Sequence, residues 1–151
     1  MARHLLLHAL LLPVLAHAQT WHVYLNSSTV HDLDVHDSTL LVGLDHRVAR
    51  VNTSTLESEL LMPPIHGSWQ GVVPVRYVAI DDSGACWASV SAYGQGLWRW
   101  WNGTWDNFLQ SNSQMPDNIP QHLFADRDHQ TLWVASNSTG SFNGTDYEQV
   151  G

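Results

Sequence analysis

Apolar and polar residues alternate along the chain in short runs, separated by clusters of Gly, Asn, Asp, Ser and Pro, and apolar spacing of helical period is nearly absent. A period of two is what a pleated strand with one buried face requires, so the runs predict strands and an all-β class. The runs also recur. Asp34-Val-His-Asp-Ser-Thr-Leu-Leu-Val-Gly43, Ile80-Asp-Asp-Ser-Gly-Ala-Cys-Trp-Ala-Ser89 and Asp126-Arg-Asp-His-Gln-Thr-Leu-Trp-Val-Ala135 align without a gap, and Leu41, Trp87 and Trp133 fall 46 residues apart. Behind each large apolar residue the pattern predicts a strand end, a loop and a third strand, Val48-Ala-Arg-Val51 in the first copy and Leu97-Trp-Arg-Trp-Trp101 in the second, with Arg50 and Arg99 in common. A fourth strand reads as Trp105-Asp-Asn-Phe108, matched by Trp21-His-Val-Tyr24 and more weakly by Tyr147-Glu-Gln-Val150. Asn102-Gly-Thr104 and Asn143-Gly-Thr145 carry the Asn-Gly pair that suits tight hairpins.

Four strands in a repeat of about 45 residues is the pattern of a β-propeller blade. The repeats run over about 21–66, 67–112 and 113–151, so the ring is incomplete: three copies fall short of the roughly four to eight blades of a closed propeller. The third copy is short between Trp133 and Asn143, which leaves too little chain for a full third strand. Blades bury both sheet faces against neighbours. Further blades are therefore expected, from a longer reading frame or from self-assembly. The strand Trp21–Leu25 precedes the first inner strand and is of the outermost type, which in closed rings completes the last blade.

Residues 1–18 read as an address rather than as structure. Met1-Ala-Arg-His is a short cationic start, Leu5–Leu15 is apolar but for His8, and Ala16-His-Ala18 is a small-x-small cleavage site. The run is too short for a membrane span, which needs about 20 apolar residues. Cleavage after Ala18 and export to the periplasm, cell surface or medium are expected, and no later stretch is long and apolar enough to span a bilayer.

Composition narrows the partners. The formal charge is -8, and all six cations are arginines scattered at 3, 47, 50, 76, 99 and 127, so no basic stripe exists to neutralise a phosphate backbone and nucleic acid is excluded as a partner. Cys86 is the single cysteine, so no disulfide can form within the chain, and it is expected as a small buried hydrophobe beside Trp87.

Taken together these residues resemble the two-component regulator propeller repeats of exported bacterial proteins and sensor domains. Ser111-Asn-Ser-Gln-Met-Pro-Asp-Asn118 is similar to that family's inter-blade linker, with Met115 where Leu is usual. Asp126 to Ser136 resembles its core motif D-x-x-G-x-x-W-[IV]-G-T, as does Ile80 to Ser89 with Gly84 in place. The resemblance covers most of residues 21–150. Departures are His129 and Ser38 at the turn glycine, Ala135-Ser136 for Gly-Thr, and Leu41 for Trp. The resemblance implies an extracytoplasmic sensor or ligand-recognition propeller, in some members acting on glycans and coupled to a membrane kinase.

Candidate chemistry is sparse. His31-Asp-Leu-Asp-Val-His-Asp37 places Asp32, Asp34 and His36 on one strand face, but one strand supplies few converging ligands, so these are read as polar residues of an inner strand and its turn, and no metal is assigned. Trp98, Arg99, Trp100 and Trp101, with Trp105 and Tyr93 near in sequence, read either as an aromatic platform for a sugar ring or as blade-to-blade packing, since Trp98 and Trp100 share one face and Trp101 the other. Trp69 and Tyr93 lie in loops, where ligand contact is more common. The ligand-binding candidates are thus Trp69, Tyr93, Trp98, Arg99 and Trp101. No catalytic motif is present, and the acids Asp81-Asp82 and Asp126-x-Asp128 recur at the same turn of two repeats, as structural residues do. Five Asn-x-Ser/Thr sequons, at Asn26, Asn52, Asn102, Asn137 and Asn143, are read as polar turns because the resemblance is bacterial. The expectation is an exported, non-enzymatic recognition propeller without a cofactor, with an oligosaccharide or a protein as ligand; the alternative is a structural or adhesive scaffold for protein–protein contact.

Overall fold

The structure is a computed structural model and describes residues 29–65, 73–90 and 94–136, with the strand backbones of 140–142 and 147–149. The leader, the strand expected at Trp21–Leu25 and the loop residues Trp69 and Tyr93 lie outside the described residues. Among the described residues, twelve strands form three antiparallel sheets of four. The first holds β1 (Val30–His36), β2 (Thr39–Leu44), β3 (Arg47–Asn52) and β4 (Ser58–Leu61). The second holds β5 (Val75–Ile80), β6 (Cys86–Val90), β7 (Leu97–Trp101) and β8 (Thr104–Phe108). The third holds β9 (His122–Asp126), β10 (Thr131–Ala135), β11 (Gly140–Phe142) and β12 (Tyr147–Gln149). Each is a meander in which strands pair in chain order. The all-β expectation holds: no helix occurs among the described residues.

Alternation along the second strand of each sheet produces the layering. Leu41, Val48 and Leu61 of the first sheet share one apolar cluster with Val78, Ile80, Cys86, Ala88, Val90 and Trp98 of the second. Trp87, the next residue after Cys86, points the other way and joins Ala79 and Leu97 against Leu123, Ala125, Leu132 and Val134 of the third. The middle sheet is thereby covered on both faces. Gly43 fits this stacking for a steric reason: a Cβ there would stand 2.6 Å from the Val75 carbonyl oxygen and 3.3 Å from Val78 Cγ1, so only glycine lets β2 approach β5 so closely. In the linker after β8, Met115 is buried among Trp87, Leu97 and Leu123, the anchoring position where the resemblance expects Leu.

Two local expectations need correction. In the third sheet the chain after Trp133 does make a third strand, β11, which pairs over Leu132–Phe142, Trp133–Ser141 and Val134–Gly140. Three residues suffice because the pairing needs only that length to carry β12. The turn glycine is replaced differently as well. Left-handed backbone is found at Asp37 (φ 49°), Gly84 (φ 85°) and Gln130 (φ 53°), so Asp37 and Gln130, not Ser38 and His129, take over its conformation. His129 instead places Nδ1 2.9 Å from the Asp126 carboxylate, which raises the imidazole pKa while the same hydrogen bond lowers that of Asp126.

Burial pushes the Cys86 thiol up to about 11. Its thiolate is then scarce at neutral pH, and labelling by a thiol reagent in native protein should be on the order of 100-fold slower than for free cysteine, rising to the free rate in denaturant. Rapid labelling of native protein would refute that burial.

Candidate functional site

The tryptophans of β7 do not form one platform. Trp98 is 2% exposed and lies in the seam between the first and second sheets, with Trp100 and Trp105 packed against the same cluster. Trp105 stands edge-on to Trp98, ring centroids 6.3 Å apart, and 5.4 Å from Trp100. Arg99 faces the third sheet instead. Its guanidinium sits 2.8 Å from Asp106 and rests over the rings of Trp87 (5.5 Å) and Phe108 (5.4 Å), while Trp87 Nε1 donates to Asp81 at 2.8 Å. The first sheet repeats that unit: Arg50 is the cross-strand partner of Leu41 and Glu59, and its guanidinium meets Glu59 at 2.6 Å. Trp101, at the end of β7, is 38% exposed. Of the five sequence candidates, then, Trp98 lies in a core seam, Arg99 in a repeated ion pair and Trp101 at a strand end, while Trp69 and Tyr93 fall outside the described residues.

Polar side chains converge elsewhere, on the innermost strands β1, β5 and β9. Asp32 and Asp34 each accept on Oδ1 from the following backbone amide, at 2.9 and 2.8 Å. Their Oδ2 atoms reach the next sheet, where Val78 N–H donates to Asp32 at 2.9 Å and Ile80 N–H to Asp34 at 2.7 Å. Each of these bonds joins positions one repeat apart. Arg127, just beyond β9, donates through Nε to the Ile80 carbonyl at 2.9 Å and through Nη2 to Asp34 Oδ2 at 2.5 Å, so one residue from each sheet meets at a single point. Only about a quarter of either side chain of the pair is exposed (28% for Arg127, 25% for Asp34). Beside this clamp runs a groove of about 180 Å³ lined by Asp34, Arg127, His122, Leu33 and Phe124 among others. Phe124 is 59% and Leu33 60% exposed, and the His122 ring lies tilted against Tyr77, centroids 5.3 Å apart. The groove therefore offers an apolar ring, an imidazole and a charged pair within reach of one small ligand. Sequence reading missed Arg127, whose partner lies 93 residues earlier; the Asp34 carboxylate was noted, but its use on a neighbouring strand leaves no mark in a single sequence.

A second hollow of about 400 Å³ opens between the first two sheets, lined by Thr39, Arg50, Asn52, Glu57, Ser58 and Glu59 with Gly84. An adjoining hollow of about 310 Å³ shares Arg50, Glu59 and Gly84 and adds Trp100 to Gly103. Among the described residues no group of three or more His, Cys, Asp and Glu side chains is arranged to hold a metal ion.

Comparison with solved structures settles what the stacked sheets are. The extracellular domain of BT4673 from B. thetaiotaomicron, described in one structure as that of a one component system, superposes with a TM-score of 0.56 at 18% identity, over 82% of this chain and 16% of that one. A second structure, described as that of a hybrid two component system, gives 0.55 at 20% identity over 81% and 16%. The sheets are β-propeller blades. Neither a family model nor any curated protein matches the chain. The propeller segment spans about a sixth of the length of the solved domains it matches, and its described blades do not close into a ring. No helix among the described residues is long and apolar enough to cross a membrane.

Proposed function

We propose that this chain is an exported, non-enzymatic recognition module of sensor type, built as part of a propeller of the two-component regulator repeat family, and that its ligand binds in the axial groove. The observation that carries the reading is the convergence of Asp34, Arg127 and the exposed ring of Phe124 from different blades on one groove. A planar apolar face beside charged hydrogen-bonding groups suits an oligosaccharide. Non-enzymatic function is supported by where the acids go: Asp81 caps its own turn by accepting from Ser83 and Ala85 amides and from Trp87, and so is engaged in structure. Export is supported by the leader-like residues 1–18 and by the extracellular placement of the two solved domains.

The scaffold reading also has an observation in its favour. Val35 and Leu60 stand exposed on the outer face of the first blade, as they would where further blades from a longer chain or a second copy pack. A panel of soluble oligosaccharides titrated against the protein separates the two. Binding should quench Trp fluorescence, with Trp133 the cross-strand neighbour of Phe124, and Phe124→Ala should weaken it at least tenfold while Trp101→Ala leaves it unchanged. Loss confined to Trp101→Ala would move the site to the hollow between the first two blades; a silent panel would favour the scaffold.

A further inference from the structure

One position on the second strand of each blade is Leu41 in the first, Trp87 in the second and Trp133 in the third. The two indoles are held alike. Trp87 Nε1 donates to Asp81 Oδ2 at 2.8 Å, and Trp133 hydrogen-bonds Asp126, the last residue of β9. Trp87 also carries the Arg99 guanidinium on its face, 5.5 Å from the ring centroid, with the Phe108 ring 5.6 Å away. In the seam between the second and third blades, one indole thus lies with its N–H on a carboxylate and its face under a guanidinium.

The seam between the first and second blades has the same frame without the ring. Arg50 pairs with Leu41 across β2 and β3 as Arg99 pairs with Trp87 across β6 and β7. Glu59 holds Arg50 at 2.6 Å as Asp106 holds Arg99 at 2.8 Å. Leucine offers neither an aromatic face nor an N–H, and no described ring stacks on Arg50 as Trp87 and Phe108 do on Arg99. The residue 46 places before Asp81 is Val35, so indole and carboxylate are missing together. What remains is the hollow of about 400 Å³ in which Thr39, Arg50 and Glu59 face Gly84 of the next blade. A Cβ on Gly84 would meet nothing within 4 Å, so space is open on that wall as well. Arg50 is 39% exposed, and besides Glu59 it lies within hydrogen-bonding reach of the Cys86 thiol.

We propose that this hollow binds a small planar aromatic ligand with a ring N–H, of the indole type. The ring face lies on the Arg50 guanidinium, in the cation–π contact that Trp87 makes with Arg99, and the ring N–H donates to the half-exposed Glu59 carboxylate. The volume is that of a small-molecule site. One guanidinium stands against two carboxylates, Glu57 and Glu59, in the lining, which favours a neutral or cationic ring over an anionic one. The hollow shares no lining residue with the axial groove, so this inference stands apart from the recognition reading.

The probe is 5-fluoroindole, titrated against the whole protein and followed by fluorine NMR, which the eight tryptophans do not obscure. Saturable binding with a Kd on the order of 1 mM or tighter is expected. Arg50→Met should weaken it by about fivefold or more. Leu41→Trp, which supplies the ring from the chain itself, should abolish it. Arg99→Met, the same change in the seam that already holds its indole, should leave it unchanged. Absence of saturable binding would overturn the proposal, as would binding that Arg50→Met leaves intact or that Arg99→Met weakens equally. Should Leu41→Trp fail to fold, the two arginine variants decide alone, because both side chains are partly exposed and lie outside the apolar clusters.

Discussion

Replacing Trp98 by Ala is expected to destabilise the protein by about 3–5 kcal/mol, the range for truncating a large buried aromatic side chain. The side chain fills the seam between two blades among Leu41, Val48, Cys86 and Ala88, with Trp105 edge-on against it. Its loss leaves a cavity that neither strand can close, because β6 and β7 are fixed by their ladder and Gly43 already holds β2 as near β5 as backbone contact allows. Equilibrium denaturation read by circular dichroism measures the effect, and Trp98→Phe should lose much less. A Trp98→Ala variant as stable as the parent, but impaired in ligand binding, would return Trp98 to the list of contact residues.

The second large effect is expected at the axial clamp. Asp34→Ala removes the acceptor of Ile80 N–H and the partner of Arg127 together; hydrogen bonds to a charged group of this kind contribute about 1.5–3 kcal/mol each, and because solvent reaches a quarter of the pair and screens it, the loss falls below the simple sum, at about 2–4 kcal/mol. Arg127→Met should cost less, since Asp34 keeps its two amide donors. In the double-mutant cycle the two changes should couple by on the order of 1–2 kcal/mol, as contacting members of one network do. Coupling near zero would mean that solvent screens the pair, as it does on open surfaces.

These two sites also show where sequence reading succeeds and where it stops. The blades were legible because alternation and a 46-residue offset are local or periodic signals, and Leu41, Trp87 and Trp133 carry both. Arg50 and Arg99 were legible as repeat markers, yet their purpose, pairing with Glu59 and Asp106 across the next strand, emerges only from register. The turn conformation falls one residue from the expected position at Asp37, because a left-handed position occupied by something other than glycine has no compositional flag, whereas at Gln130 the 46-residue offset from Gly84 does mark it. Of the two readings that the cluster around Trp98 allowed, platform or blade-to-blade packing, Trp98 itself follows the second: neighbours on a strand face opposite ways, so Trp98 and Arg99 serve different seams. Arg127 and Asp34 meet across 93 residues and three blades, and no pattern in one chain announces a contact of that span.

That span has a consequence for how the molecule is made. The inner-strand carboxylates of the first blade are addressed to amides that lie 46 residues further on, and the guanidinium that completes them comes later still. A chain that emerges from its amino end must carry Asp32 and Asp34 hydrated until the second blade arrives, and the clamp can close only after residue 127 has appeared. Loop closure over such distances is slow compared with hairpin formation. Each blade can therefore form its own meander early, but the angle between blades is set in order of synthesis, with the first blade waiting for the third.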